Sequence, residues 1–185
     1  MSTWITIGLI VLVVLYAISL YNKLVKNRQM VNEGWSGIDV QLKRRSNLIP
    51  NLLAAVKGYM SHEKDLLEEI TAMRANADGA QNEGPEARAK AEGALSGGLL
   101  KLFAVMENYP ELKANENIMD FQNSLEEIEN QIQMSRRYYN GAVRNMNVSV
   151  ESFPSNLIAN QFQFTSAEFF EIDDAAARAL PKVEF

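Results

Sequence analysis

The sequence predicts an all-α membrane protein: an N-terminal single-pass transmembrane helix, then an antiparallel up-and-down bundle of three to four long helices, and an aromatic-rich C-terminal tail. Three observations carry this. Trp4 to Tyr21 is an apolar run of 18 residues with no charge before Lys23. Most of the remainder places apolar residues at alternating steps of three and four, the spacing of a helix that buries one stripe. No segment shows the strict alternation of a half-buried strand.

Taken in order, Trp4–Tyr21 would make a helix of roughly 27 Å, close to the ~30 Å hydrocarbon thickness of a bilayer. Trp4, Ile5, Leu9, Val13, Tyr16 and Tyr21 are the expected anchor residues, with the aromatic rings at the two interfaces. A cleaved signal peptide would need a basic leading segment, and Met1-Ser2-Thr3 offers none. A buried core helix is the other alternative, disfavoured by the length of the uncharged run. Lys23, Lys26 and Arg28 follow at once and are expected at lipid headgroups. The N-terminal side has no Lys or Arg, so the positive-inside rule places a short N-terminus outside and the remaining domain in the cytoplasm.

The domain boundaries expected are an anchor over 1–22, a helical bundle over 23–152 and an aromatic tail over 153–185 that packs on the bundle or on a neighbouring protomer. Residues 23–64 carry a net charge of +5 and the rest −10. The basic piece suits anionic lipid and the acidic remainder argues against nucleic acid. Cysteine is absent, which excludes disulfides and thiolate chemistry.

Within the bundle, Leu24, Val31, Trp35, Ile38, Leu42, Ile49, Leu52, Val56, Tyr59, Leu66, Ile70, Met73 and Ala77 keep one stripe. Arg45 and Glu63 fall on it; snorkelling at its edge is the favoured reading over a buried polar contact. Pro50 predicts a kink or restart near Arg45-Ser46-Asn47, with Asn47 as an N-cap, and a kink is favoured over a hairpin. Asn76–Pro85 reads as the clearest loop, then Glu86–Asn108 as an alanine-rich helix with Gly97-Gly98 in its middle, packed closely on a neighbour. Tyr109-Pro110 ends it. Ala114 to about Ser152 is the longest periodic stretch beyond the anchor, with its stripe running from Ile118 through Phe121, Leu125, Ile128, Ile132, Tyr139 and Met146 to Ser149. After Phe153-Pro154 come Phe162, Phe164, Phe169, Phe170 and Phe185, too many rings to stay in water.

Catalytic constellations are missing. His62 is the single histidine, and position 66 is leucine, so the HExxH zinc motif fails. Neighbouring carboxylates such as Glu68-Glu69 point in different directions on a helix. No cofactor or metal is implied, and the expectation is a protein that is not an enzyme. Arg136-Arg137-Tyr138-Tyr139-Asn140 interrupts an otherwise regular amphipathic helix and suits either a register-fixing layer or a contact surface. Arg136, Arg137, Tyr138, Asn140, Phe162, Phe164, Phe169 and Phe170 are the candidate oligomer or partner contacts.

Four blocks then occur in order: Arg44-Arg45-Ser46-Asn47-Leu48-Ile49-Pro50-Asn51-Leu52 with Val56-Lys57-Gly58-Tyr59; Ser135-Arg136-Arg137-Tyr138-Tyr139-Asn140 with Ala142-Val143; Glu151-Ser152-Phe153-Pro154-Ser155-Asn156-Leu157-Ile158; and Pro181-Lys182-Val183. Together they resemble the LemA family. Gln163 departs from the pattern, which expects glycine between the two phenylalanines. The resemblance implies a single-pass protein of the bacterial inner membrane with a cytoplasmic antiparallel bundle and no established enzymatic activity. A magnetosome-associated relative adds a link to membrane organisation. The functional expectation is a membrane-anchored scaffold that forms a homo-oligomer and organises or remodels the membrane. The alternative is an adaptor that recruits a membrane protease or sensor.

Overall fold

The computed structural model describes residues 2–171, and these are helical apart from short turns and the segment after Phe162. Seven elements follow in order: α1 Ser2–Lys57, α2 Lys64–Gly79, a 3-10 turn Ala80–Asn82, α3 Pro85–Met106, α4 Pro110–Lys113, α5 Glu116–Glu151 and α6 Ser155–Gln161. The chain divides into two compact units, one comprising the chain up to Ile38 with Met134–Phe169, the other built on Asp39–Gln133. The terminal Pro181-Lys182-Val183 block and Phe185 lie outside the described residues.

The first unit contains the apolar start of α1. From Trp4 to Tyr16 its large side chains are half to almost wholly exposed, Trp4 at 78 % and Val13 at 61 %. An apolar helix of this length with an unburied surface is a candidate membrane span, and its exposure excludes the buried core helix. Burial begins at Leu24 and recurs at Val31 and Ile38. These face α5, whose buried Tyr139, Ala142, Val143, Met146 and Ser149 follow the expected stripe. The two helices run antiparallel: the Asn27 amide donates to the Asn145 carbonyl at 3.2 Å and to Ser149 Oγ at 2.8 Å, while Gly34 and Gly37 lie against Tyr139 and Ser135. Gly34 is required by this approach, since a Cβ there would stand 2.9 Å from the Tyr139 Cα.

In the second unit, α1 continues through Pro50 as one helix, so the chain neither restarts at an Asn47 cap nor turns into a hairpin there. The reason is local. Pro50 has no N–H to offer the Ser46 carbonyl, and that carbonyl accepts from Arg74 Nε on α2 at 2.9 Å instead. Ser46 Oγ donates to Asp78 at 2.8 Å and completes the replacement. The chain reverses later, over residues 58–63. Because α1 stops at Lys57, Tyr59 leaves the stripe and is exposed, and Met60 occupies the core in its place.

The core gathers Ile49, Leu52, Val56, Met60, Ile70, Leu95, Leu102 and Leu112, all essentially sealed from water. Each such side chain contributes about 1.5–3 kcal/mol. The Asn76–Pro85 loop is shorter than expected. α2 persists to Gly79 and a 3-10 turn follows, because Ala77 and Ala80 are buried and tertiary packing outweighs weak local propensity. Gly84, at φ 97°, and Pro85 at the first helical position then open α3. Of the paired glycines, Gly98 is packed closely, with a Cβ there falling 2.7 Å from Met73 Sδ; Gly97 faces open space.

Candidate functional site

Two groupings of polar and aromatic side chains stand out, one in each unit. In the first unit the Arg136–Asn140 stretch lies on α5 opposite α1. Tyr139 is buried, its ring centroid 5.5 Å from that of Trp35. Its hydroxyl donates to the Glu168 carbonyl at 2.8 Å. Burial first, and the Glu168 charge second, push its pKa up to about 12. Tyr138 is exposed and donates to Glu33 on α1 at 3.0 Å; that hydrogen bond, with some desolvation, raises its pKa too. Arg137 is exposed, while Arg136 and Asn140 are half-buried and engaged. Tyr139 and Tyr138 therefore serve the α1–α5 pairing itself, while Arg137 and the rim of Tyr138 face outward.

The segment after α5 folds back on the same helix pair. α6 ends in a Schellman arrangement: the Phe164 N–H bonds the Ala159 carbonyl at 2.9 Å and the Gln163 N–H reaches the Asn160 carbonyl. The residue at the turn, Gln163, sits at φ 56°, in the left-handed region where glycine is normally favoured. This explains physically why glycine is the expected residue there. Beyond the turn, Phe164 is buried under the Arg28 guanidinium, 4.9 Å from its ring centroid, and beside Tyr21. Asn147 clamps Ala167 through both amide atoms, at 2.8 and 3.0 Å. Phe169 is partly exposed and Phe170 is fully buried.

In the second unit the outcome for Arg45 overturns the snorkelling reading. Its side chain is 1 % exposed. Its guanidinium donates to Glu92 Oε2 at 2.6 Å, to the Glu92 carbonyl at 3.2 Å, to Ser96 Oγ at 2.6 Å and to Glu129 at 2.8 Å. Arg88 Nε lies 2.8 Å from the other oxygen of Glu92, with Asp39 at 4.0 Å. Two buried arginines thus share one buried carboxylate, balanced by two partly exposed ones at the edges. The cluster ties α1, α3 and α5 in a single register. Beside Arg88 is a polar cleft of about 180 Å³ edged by charges of both signs. Glu63, the other polar residue on the stripe, accepts from the Tyr109 hydroxyl. Burial, followed by that bond to Glu63, raises the Tyr109 pKa. Among the described residues no three His, Asp or Glu side chains are grouped to hold a metal ion. His62 is exposed.

Of the residues expected in the anchor, Trp4, Ile5, Leu9, Val13 and Tyr16 are exposed and Tyr21 is half-buried, and Lys23, Lys26 and Arg28 are exposed immediately after them.

The LemA family model matches residues 34–185, beginning at the glycine where α1 meets Tyr139. The chain belongs to the LemA family. This LemA-family chain is 25 % identical over 175 residues to magnetosome proteins MamQ 1 and MamQ 2 of Paramagnetospirillum magneticum (strain ATCC 700264 / AMB-1), the match covering 82 % of this chain and 64 % of theirs. It spans just under two thirds of those relatives. It is 24 % identical over 156 residues to protein LemA of Metamycoplasma hominis, covering 83 % of this chain and 69 % of that one. The apolar run Trp4–Tyr21 precedes the stretch matched by the family model and is read from its own chemistry.

Proposed function

We propose that this protein is a membrane-anchored helical scaffold, without enzymatic activity, that self-associates and organises or remodels the bacterial inner membrane. The observation that carries the reading is the exposed apolar start of α1, continuous with a helix that is buried in a bundle from Leu24 onward. The anchor spans residues 1–22 and crosses the membrane once, with the N-terminus outside. Residues 23–152 form the cytoplasmic up-and-down bundle and residues 153–185 the tail. Lys23, Lys26 and Arg28 meet the headgroups of the inner leaflet.

Association uses the outward part of the sequence-derived set. Arg137, Tyr138 and Phe169 present arginine and aromatic surface, the residue types enriched at interfaces, while Phe162, also exposed, lies beside Tyr21 at the end of the apolar run. Arg136 and Asn140 are half-buried and Phe164 and Phe170 are buried, so they are not offered to a partner. Relatives that bear the name magnetosome protein, with the link to membrane organisation that the family resemblance implies, are the comparative support for this role.

Site-specific crosslinking from Arg137 and Phe169 in living cells tests this. Self-crosslinked ladders are the expected product. One distinct heterologous product at both positions would favour instead an adaptor that recruits a membrane protease or sensor.

A further inference from the structure

Ser152 to Ala167 contains no charged side chain, and Glu151 and Glu168 bound it. Part of this stretch folds inward, yet Phe153 is 79 % exposed, Leu157 58 % and Phe162 55 %. Their level along α1 is fixed within the first unit. Asn27 lies opposite Asn145 and Ser149 on an antiparallel partner, so the chain past Glu151 arrives beside the α1 turns that precede Leu24. The rings confirm this: Phe162 and Phe164 lie 4.8 and 5.8 Å, centroid to centroid, from Tyr21. Tyr21 closes the apolar span, and Lys23, Lys26 and Arg28 are exposed just past it.

We propose that Phe153, Leu157 and Phe162 form an interfacial foot that inserts into the headgroup and upper acyl region of the bilayer that holds α1. This second attachment turns a single tether into a two-point mount and restricts the tilt of the helix pair against the membrane. The proposal rests on the reading of Trp4–Tyr21 as bilayer-embedded. A lipid surface is the occupant for three reasons. The exposed rings continue the apolar surface of the span instead of forming an isolated patch. The elbow brings no charge that would have to be desolvated, and Asn160, Gln161 and Gln163 supply uncharged polar groups at headgroup depth. The neighbouring cations attract anionic lipid, with Arg28 held over the Phe164 ring at the rim.

The absence of cysteine makes a direct test available. Full-length Phe153→Cys, Leu157→Cys, Val13→Cys and Met134→Cys variants are labelled with an environment-sensitive fluorophore in vesicles of phosphatidylcholine and phosphatidylglycerol, with nitroxide quenchers placed on the headgroup or along the acyl chain. Blue-shifted emission from positions 153 and 157, quenched by headgroup and shallow acyl nitroxides, is expected, together with quenching of position 13 by deep nitroxides and none at position 134, which is exposed at the other end of the helix pair. Quenching at 13 with water-like emission at 153 and 157 would overturn the foot and leave the anchor standing. Emission at 153 and 157 that is shielded from both aqueous and lipid quenchers would mean a second protein covers the rings, and would also overturn it. Loss of quenching at 13 would remove the anchor itself, and the foot with it.

Discussion

Arg45→Met removes the charge at the centre of the buried cluster and keeps most of the side-chain volume. In the native protein Arg45 satisfies Glu92, Ser96 and Glu129 at once, at 2.6, 2.6 and 2.8 Å. Breaking a buried pair by deleting one partner costs about 3–5 kcal/mol, because the other charge stays behind uncompensated. Here Arg88 remains 2.8 Å from Glu92 and the Glu129 carboxylate is partly exposed, so Glu92 keeps one cation and Glu129 regains water. These two facts place the expected loss at the lower end, about 3 kcal/mol. Arg45→Lys should lose an intermediate amount, since a single ammonium keeps the charge without the fork that spans Glu92 and Glu129. Urea unfolding followed by circular dichroism at constant detergent supplies the comparison. A loss below about 1 kcal/mol for Arg45→Met would match a solvated arginine at the edge of the stripe and would refute the buried cluster.

Further outcomes follow from backbone and titration. Gln163→Gly should stabilise the protein by about 0.5–1 kcal/mol, because relief of left-handed strain exceeds the added freedom of glycine in the unfolded chain; an unchanged urea midpoint would contradict a strained turn. Gly97→Ala, facing open space inside α3, should gain up to about 1 kcal/mol. Gly34→Ala, which drives a methyl into the Tyr139 backbone, should lose about 1–3 kcal/mol in the same assay. Tyr139 should ionise near pH 12 by tyrosinate absorbance, and Tyr139→Phe should delete that step. Its folded pKa exceeds the unfolded value of about 10, so its contribution is complete below pH 10 and fades as pH rises toward 12.

The helices were largely legible because each long one keeps a periodic apolar face. Ile118, Leu125, Ile128, Ile132 and Tyr139 on α5 are buried as their spacing requires. The apolar N-terminal run was legible from length and absence of charge, whereas Gln163 stood out only as a departure from the family pattern, and the left-handed turn it occupies comes from the fold. What escaped were features set by partners distant in sequence. Nothing near Arg45 announces Glu92, 47 residues on, or Glu129, 84 residues on. Pro50 carries a local signal for a break, while its remedy, Arg74, lies on the next helix. Asn76 to Gly79 has loop composition, yet Ala77 and Ala80 pack inward and hold the backbone helical. At the candidate site, sequence pointed to Arg136–Asn140 as a block, but only the fold separates Tyr139, which faces α1, from Arg137, which faces water.

The most direct measurement for the account is the accessibility of single cysteines to a membrane-impermeant maleimide in intact spheroplasts and after permeabilisation. Thr3→Cys should react in intact spheroplasts, and Lys57→Cys, at the far end of the same helix, only after permeabilisation. Labelling of both positions in intact spheroplasts, or of Lys57→Cys alone, would contradict a helix that crosses the bilayer with its bundle on the cytoplasmic side.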